Sequence, residues 1–247
     1  MVSVSTLLAL GLVAPASAVP VGDPVPLPEA GRVRLDTRVG THSVAEKDTR
    51  CQGSTGCSAR WRQTSVVGGL HLAVLKGVGV FGEVGLAEDR IRAADYRGRA
   101  QTWAAGIRTA VPLGPSLWLA ANARMDRGEG VSLHADEEPD PETAEFRIYS
   151  GTLLGVWGDG AEGVSVWAGG QSSWHWEHHV WPLGTSKDGV HLDVPLSPEW
   201  PVSGVVGFGV TSDPVGLPWR TSSRLTVALE GRVGQEVGVT GWIGVAL

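Results

Sequence analysis

The chain has 247 residues, a length that fits one large β domain or two small ones. Its formal net charge at pH 7 is −6, and it contains 35 Gly and 11 Trp but only three Lys. This balance argues against a nucleic-acid partner, because phosphate binding needs a clustered Lys and Arg surface, and it is also unlike the Lys-rich surface of a soluble domain.

The first residues predict export. An apolar run from Leu7 to Val13 precedes Ala16-Ser17-Ala18, the small-x-small pattern that a signal peptidase cuts, so we predict a signal peptide over residues 1–18. The alternative is an apolar first strand. Residues 19–30 are rich in proline and are interpreted as a periplasmic N-terminal segment. No later run of about 18 apolar residues exists, so the sequence predicts no helical membrane span.

The two cysteines fit an exported chain. Cys51 and Cys57 enclose a short segment with two glycines, which can bring the two sulfur atoms together. An oxidising compartment favours their pairing, so we predict a disulfide; two free thiols are the alternative.

Residues 31–247 are organised in segments in which apolar residues occupy every second position, as in β-strands with one apolar face. The segments are 33–39, 66–74, 78–86, 103–111, 117–125, 146–156, 164–170, 202–210, 225–229 and 237–247. Most are close to the ~9–11 residues with which a strand spans a bilayer. The last one ends the chain, with an apolar face from Val237 to Leu247 that carries no charge.

The opposite faces hold mostly small residues with about one charge per strand. The charges assigned to them are Glu83, Arg108, Arg124, Arg147, Arg224 and Glu236. A soluble barrel would carry many more charges on its solvent face, whereas a narrow, crowded lumen suits this pattern. We therefore predict an all-β protein, a closed antiparallel up-and-down transmembrane β-barrel of about ten strands, with its apolar face toward lipid. The charges Glu83, Arg108, Arg124 and Arg147 are expected to form one ion network in the lumen.

The connections between segments alternate in length. Short ones fall at 76–77, 112–115, 158–163 and 211–218, and longer ones at 45–59, 88–99, 126–144 and 172–199, while the last hairpin turns at 231–234. Short periplasmic turns and longer outside loops are typical of outer-membrane barrels. By alternation, Trp118, Trp167 and Trp242 face the lumen and fill it. Other tryptophans fall near strand ends, where an indole ring favours the headgroup layer; they are Trp103, Trp157, Trp174, Trp176 and Trp219.

In architecture, residues 31–247 resemble the small bacterial outer-membrane β-barrel proteins. The resemblance implies residence in the outer membrane, contact with its lipid and lipopolysaccharide, and a closing strand that the barrel-assembly machinery reads during biogenesis. Members of that family usually end on an aromatic residue, whereas Leu247 is aliphatic.

The function predicted from these features is non-enzymatic: a barrel with surface loops and a lumen largely filled by side chains. A narrow pore for small solutes is one alternative. The other is a hydrolase at the extracellular rim, since some ten-stranded outer-membrane barrels are proteases and this chain has His134-Ala135-Asp136 and His191-Leu192-Asp193 in predicted outside loops. No nucleophile and base can be placed within hydrogen-bond reach from the sequence, so no catalytic residue is assigned.

Two further groups are candidate cation ligands. On an extended strand, His175, Glu177 and His179 share one face, a set suited to a divalent metal, although such loop histidines are also often plain solvated residues. An acidic group could hold Ca²⁺ that bridges to lipopolysaccharide; its members are Asp136, Glu137, Glu138, Asp140, Glu142 and Glu145. No cofactor is otherwise expected.

Overall fold

The computed structural model describes residues 30–45, 49–51, 54–57, 60–91, 96–132, 143–158, 163–180, 191–195, 202–212, 214–217, 220–234 and 236–247. All regular structure in this part of the chain is β. The strands are β1 Val33–Ala45, β2 Thr49–Cys51, β3 Ser54–Cys57, β4 Arg60–Leu75, β5 Val78–Ile91, β6 Tyr96–Pro112, β7 Leu117–Ser132, β8 Thr143–Trp157, β9 Gly163–Val180, β10 His191–Pro195, β11 Val202–Thr211, β12 Val215–Leu217, β13 Arg220–Gly234 and β14 Glu236–Ala246.

Ten of these strands form a closed antiparallel barrel, which confirms the predicted fold class. Around the ring, each strand pairs with the next in the order β1, β4, β5, β6, β7, β8, β9, β11, β13, β14. Strand β14 closes the barrel on β1, with Thr37 opposite Ile243 and Val39 opposite Gly241. The hydrogen-bonded register around the barrel returns to β1 with a stagger of roughly 12 residues, which tilts the strands by about 40° to the barrel axis.

The four remaining strands lie outside the closed ring. Strands β2 and β3 pair with each other, β10 extends the sheet along β9, and β12 pairs with β13. The sequence did not predict them. In the described residues, no helix is long and apolar enough to cross a membrane.

The strands are longer than the sequence predicted. Strands β5 and β6 continue to Ile91 and from Tyr96, so the connection expected over 88–99 shrinks to four residues. Strand β7 likewise runs to Ser132 and β9 to Val180. On β5, β6 and β7 the described side chains of the added outward positions, such as Glu88, Arg99 and Glu129, are polar or charged, so the apolar alternation ends before the hydrogen-bond ladder does. The turn at Lys76-Gly77 joins β4 to β5 as predicted, with Gly77 at a φ of 76° that favours glycine, whereas the connection predicted over 211–218 contains β12.

The apolar faces of nine barrel strands point outward, as predicted. Side chains such as Leu70, Val84 and Ile107 are between 53% and 68% exposed, whereas inward neighbours such as Ala73 and Ala104 are buried. Apolar exposure on this scale all round a barrel is what a lipid-facing wall requires.

Strand β8 is the exception, and its predicted faces were inverted. Phe146, Ile148, Leu154 and Val156 were expected on the lipid side but are buried inside the barrel, while Leu153 is 55% exposed. Both faces of β8 are largely apolar, because Tyr149, Leu153 and Trp157 alternate with the buried set. Period-two alternation therefore identified the strand but could not decide which face is inside.

Large inward rings are accommodated by glycines on neighbouring strands. Phe81 lies opposite Gly106, Phe146 opposite Gly128, and Trp167 opposite Gly207. A Cβ atom at any of these glycines would overlap the facing ring. At these three ladders the narrow lumen is thus packed by pairing one large side chain with a glycine on the neighbouring strand.

Candidate functional site

The most polar region of the described barrel is its interior, and β1 contributes three charges to it. Arg34, Asp36 and Arg38 occupy alternate positions and so share the inward face. All three are buried, and the Asp36 carboxylate is completely inaccessible. It accepts a hydrogen bond from Arg38 Nη2 at 3.1 Å and lies 3.7 Å from Arg34 Nε.

A chain of ion pairs crosses the lumen from β1 to β7. Arg38 Nη1 is 2.6 Å from Glu83 Oε1 on β5, and the other Glu83 oxygen accepts a hydrogen bond from Arg124 Nη1 on β7, also at 2.6 Å. Arg124 then binds Asp126 on its own strand, with Nε 2.7 Å from Oδ2. We call Asp36, Arg38, Glu83, Arg124 and Asp126 the central ion chain. Glu83 joins its two halves, because each carboxylate oxygen holds a different arginine.

Phe81 and His71 complete this layer. The Phe81 ring is buried, and the guanidinium carbons of Arg108 and Arg124 lie 5.1 and 5.7 Å from its centroid, within the range of cation–π attraction. The His71 ring stacks on Phe81 at 5.5 Å, and its Nε2 is 2.6 Å from Asp36 Oδ2. The Phe81 ring thus covers the guanidinium groups of Arg108 and Arg124, which have little access to water.

A second ion group lies on β13 and β14. Arg232 is 3.1 Å from Glu230 and 3.3 Å from Glu236, and all three side chains are buried. The charge of Arg232 also acts on Asp126, the β7 end of the central ion chain. The second group is therefore coupled electrostatically to that chain.

The buried charges of the described residues balance. They are the arginines Arg34, Arg38, Arg108, Arg124 and Arg232 and the acids Asp36, Glu83, Asp126, Glu230 and Glu236. Equal numbers of both signs are expected where buried ions must neutralise each other. The space left beside Glu83, Arg124 and Asp126 is a cavity of about 20 Å³, room for about one water molecule.

A second, apolar layer fills the lumen nearer the end with the short turns. The Trp167 and Trp242 rings lie 5.6 Å apart and are almost fully buried, and Trp118 packs against them. Small and branched side chains close the rest of this layer: Ala110, Ala120, Leu154, Val156, Val205 and Ala228. The predicted inward position of these three tryptophans is confirmed.

The six lumen charges assigned from the sequence lie in different places. Glu83, Arg108, Arg124 and Glu236 are buried inside, and Arg224 is half-buried on the inner face of β13.

The placement of Arg147 in the lumen was wrong. It follows the inverted face of β8, points outward, and binds Glu145 at 2.7 Å. Glu145, which the sequence analysis placed in the acidic group of candidate Ca²⁺ ligands, lies on β8 and binds Arg147. The expected ion network thus forms around Glu83 and Arg124, with Arg147 elsewhere.

Sequence reasoning overlooked several interior charges, although alternation was enough to find them. Arg34, Asp36 and Arg38 stand directly between the apolar positions of the first predicted strand, and His71 does so in the second. Asp126, Glu230 and Arg232 were missed because the predicted strands ended too early. Which of these side chains meet depends on register between strands that are not neighbours in the chain.

Other predicted sites fall on side chains outside the described part. His175, Glu177 and His179 lie on β9, and Cys51 and Cys57 lie on the paired strands β2 and β3, but only their backbone is described. His191 and Asp193 lie on β10, where again only the backbone is described. Residues 133–142, which include His134, lie outside the described ranges. The metal site, the disulfide and the rim site all stay predictions. Among the described residues, no group of three or more His, Cys, Asp or Glu side chains is arranged to hold a metal ion.

Comparison with known proteins identifies a shared fold. The sequence matches no protein-family model and no curated protein. Among solved structures, the translocator domain of the autotransporter NalP from Neisseria meningitidis is 11% identical, with a TM-score of 0.54 over 92% of this chain and 91% of that one.

Two further structures match with lower scores. They are the transport unit of the autotransporter AIDA-I from Escherichia coli (8% identity, TM-score 0.44, 98% of this chain and 96% of that one) and the outer membrane protease OmpT from Escherichia coli (9%, 0.44, 89% and 95%). The match to the NalP domain, with the closed ten-stranded ring, shows that this chain has the fold of outer-membrane β-barrels.

Proposed function

We propose that this outer-membrane-type barrel resides in the bacterial outer membrane as a closed, non-enzymatic protein whose lumen conducts no solute. The observation that carries the proposal is the filled interior. The central ion chain spans the lumen from β1 to β7, and the Trp167 and Trp242 layer lies behind it. A solute would have to break both layers to pass.

A narrow anion path, the main alternative, is less well supported. A pore selective for anions needs an excess of positive charge along its wall, whereas the fully buried charges of the described residues balance; the half-buried Arg224 lies on the inner face of β13 in addition to this set. Each arginine of the central ion chain already binds a carboxylate at 3.1 Å or less, so an anion would compete with bonds that exist.

The described residues form one His–Asp pair, and its burial supports the non-enzymatic part of the proposal. His71 and Asp36 lie 2.6 Å apart, but their side chains are 4% and 0% exposed. A substrate would have to pass the Trp167 and Trp242 layer from the short-turn end, or displace the ion pairs of the central ion chain, of which Asp36 is a member, from the other end.

Export and assembly belong to the same proposal. Residues 1–18 would direct the chain across the inner membrane, and β14 would be read by the barrel-assembly machinery before it closes on β1. The antiparallel ladder between β1 and β14, with eleven residue pairs in register, supports a closing role for β14. The outward positions of β14, such as Val237 and Val239, are about half exposed, as suits a segment that meets lipid.

The proposal is tested by cell fractionation with a heat-shift gel, followed by single-channel recording of the purified protein in a planar bilayer. We expect heat-dependent mobility in the outer-membrane fraction and no stable conductance. The variant Arg38→Ala/Arg124→Ala/Trp167→Ala/Trp242→Ala serves as the positive control, because it removes both arginines from Glu83 together with the two indole rings of the second layer and should leak. Protein free in the periplasm would contradict the location, and a steady conductance in the unmodified protein would contradict the closed lumen.

A further inference from the structure

The last residues of β9 lie between two other strands. Residues 176–180 pair with β8 on one edge and with β10 on the other, whereas residues 163–172 of the same strand pair with β11. Strand β10 lies outside the ten-stranded ring, so residues 143–147, 176–180 and 191–195 form a small three-stranded sheet at the long-loop end of the barrel. We call this sheet the β8–β9–β10 extension.

One row of the extension carries three residues of metal-binding type. His178 on β9 is directly opposite Glu145 on β8 and directly opposite Asp193 on β10. Positions that are directly opposite each other lie on the same face of a sheet, with Cβ atoms about 4.5–5.5 Å apart. The register therefore places a histidine between two acidic residues on one face of the extension. The same row continues on β7 with Glu129.

The described contacts of this row hold Glu145 in place. Arg127 Nε and Arg147 Nη2 lie 3.0 and 2.7 Å from Glu145 Oε1, so both contacts are to the same carboxylate oxygen. Arg127 Nη2 also donates to Glu129 at 2.7 Å. Two arginines balance these two carboxylates, and Asp193 adds a further negative charge to the row. The row as a whole therefore attracts a cation, although its arginines are paired.

The set of metal ligands predicted from the sequence lies on the other face of the same strand. His175, Glu177 and His179 alternate with His178 along β9, so they are on the face opposite to it. The residues opposite this set are all apolar: Ile148, Phe146 and Ala144 on β8, and Val194 and Leu192 on β10. Neighbouring strands thus supply further ligand types to His178 but not to the predicted set.

From this register we infer that Glu145, His178 and Asp193 bind a divalent transition-metal ion, for which zinc is the best match. Zinc binds imidazole nitrogen and carboxylate oxygen at about 2.0–2.2 Å, and three protein ligands with one water complete its usual four-coordinate shell. Mg²⁺ and Ca²⁺ prefer oxygen ligands alone. The bound ion joins three strands and so stabilises the pairing of β10, the strand of the extension that lies outside the ring. This site does not depend on the closed lumen of the proposed function.

The test is isothermal titration calorimetry of the folded full-length protein, without a polyhistidine tag, in a non-ionic detergent at neutral pH. With zinc chloride as the probe, we expect one ion to bind per chain. His178→Gln and Asp193→Asn should each weaken binding at least about tenfold, since replacing even a residue that supports a metal ligand costs about 10–100-fold in affinity.

The matched control is His175→Gln/His179→Gln. It removes two histidines from the same strand on its opposite face and should change zinc affinity by less than about threefold. Magnesium chloride in about tenfold excess over zinc should not compete, because the site contains an imidazole. A heat-shift gel checks that each variant is folded, and Asp193 lies outside the closed ring, so its replacement leaves the barrel strands unchanged.

Three results would overturn the inference. They are no zinc binding tighter than about 0.1 mM in the unmodified protein, unchanged binding in His178→Gln or Asp193→Asn, and a loss in the control as large as in these variants. A non-conducting outer-membrane protein that gives any of them refutes the zinc site and leaves the proposed function intact. A protein that binds zinc as expected but conducts steadily refutes the closed lumen instead.

Discussion

Replacing Arg124 with alanine should destabilise the barrel by about 3 kcal/mol, because breaking a buried ion pair leaves charge without a partner. The Arg124 side chain is 3% exposed and binds both Glu83 and Asp126. Glu83 keeps Arg38 at 2.6 Å after the change, so most of the cost arises at Asp126, whose side chain is 12% exposed. The expected loss is therefore at the low end of the 3–5 kcal/mol typical of such changes.

The measurement is urea unfolding from lipid vesicles, followed by tryptophan fluorescence and checked by the heat-shift gel. Arg127→Ala is the matched control: it also removes an arginine with two carboxylate partners from β7, but from the outer wall, where the side chain is 35% exposed. This variant should lose less than about 1 kcal/mol.

A second substitution separates the loss of the Arg124 contacts from the cost of leaving the Asp126 carboxylate without its arginine. In the Arg124→Ala background, Asp126→Asn removes the uncompensated carboxylate and should recover part of the stability. Equal losses for Arg124→Ala and Arg127→Ala, with no recovery in the double variant, would refute the reasoning that the central ion chain is buried and coupled.

The remaining predictions concern the walls of the barrel. Val84→Arg should lower the free energy of unfolding by about 2–4 kcal/mol, because Val84 lies near the middle of the lipid-facing wall. Leu113→Arg, in a short turn, should leave it nearly unchanged. Equal effects of the two substitutions would mean that the level of the membrane on the barrel is assigned wrongly. Gly207→Ala should lower stability and the yield of folded protein, because its Cβ would overlap a buried indole ring of the neighbouring strand, and an unchanged unfolding midpoint would argue against that packing. With both native cysteines replaced by serine, Tyr149→Cys should react with a maleimide in detergent and Ile148→Cys should not; the reverse result would restore the original assignment of the β8 faces.

The disulfide also stays open to a direct measurement. Mass spectrometry of the non-reduced mature protein should show Cys51 joined to Cys57. Alkylation of both thiols without prior reduction would contradict the prediction.

The sequence alone was sufficient to identify the closed barrel, because period-two alternation depends only on which side of each strand meets lipid. Nine strands carry a continuous apolar set on one face and mainly small or polar residues, with a few large rings such as Phe81 and Trp167, on the other, so their orientation could be assigned without knowing any neighbour. Strand β8 could not be assigned in this way. Apolar residues such as Leu153 and Leu154 occupy both of its faces, and only the space beside Gly128 and the Trp167 layer puts Phe146 and Leu154 inside.

The pairing of interior charges was likewise decided by tertiary structure. Arg38 and Glu83 stand on strands separated by β4, and Glu83 and Arg124 on strands separated by β6, so no hairpin brings them together. Their contact depends on the stagger of the closed ring and on the small diameter of a ten-stranded barrel, which lets side chains meet across the lumen. The sequence shows that each charge faces inward, whereas ring closure determines which charges neutralise one another.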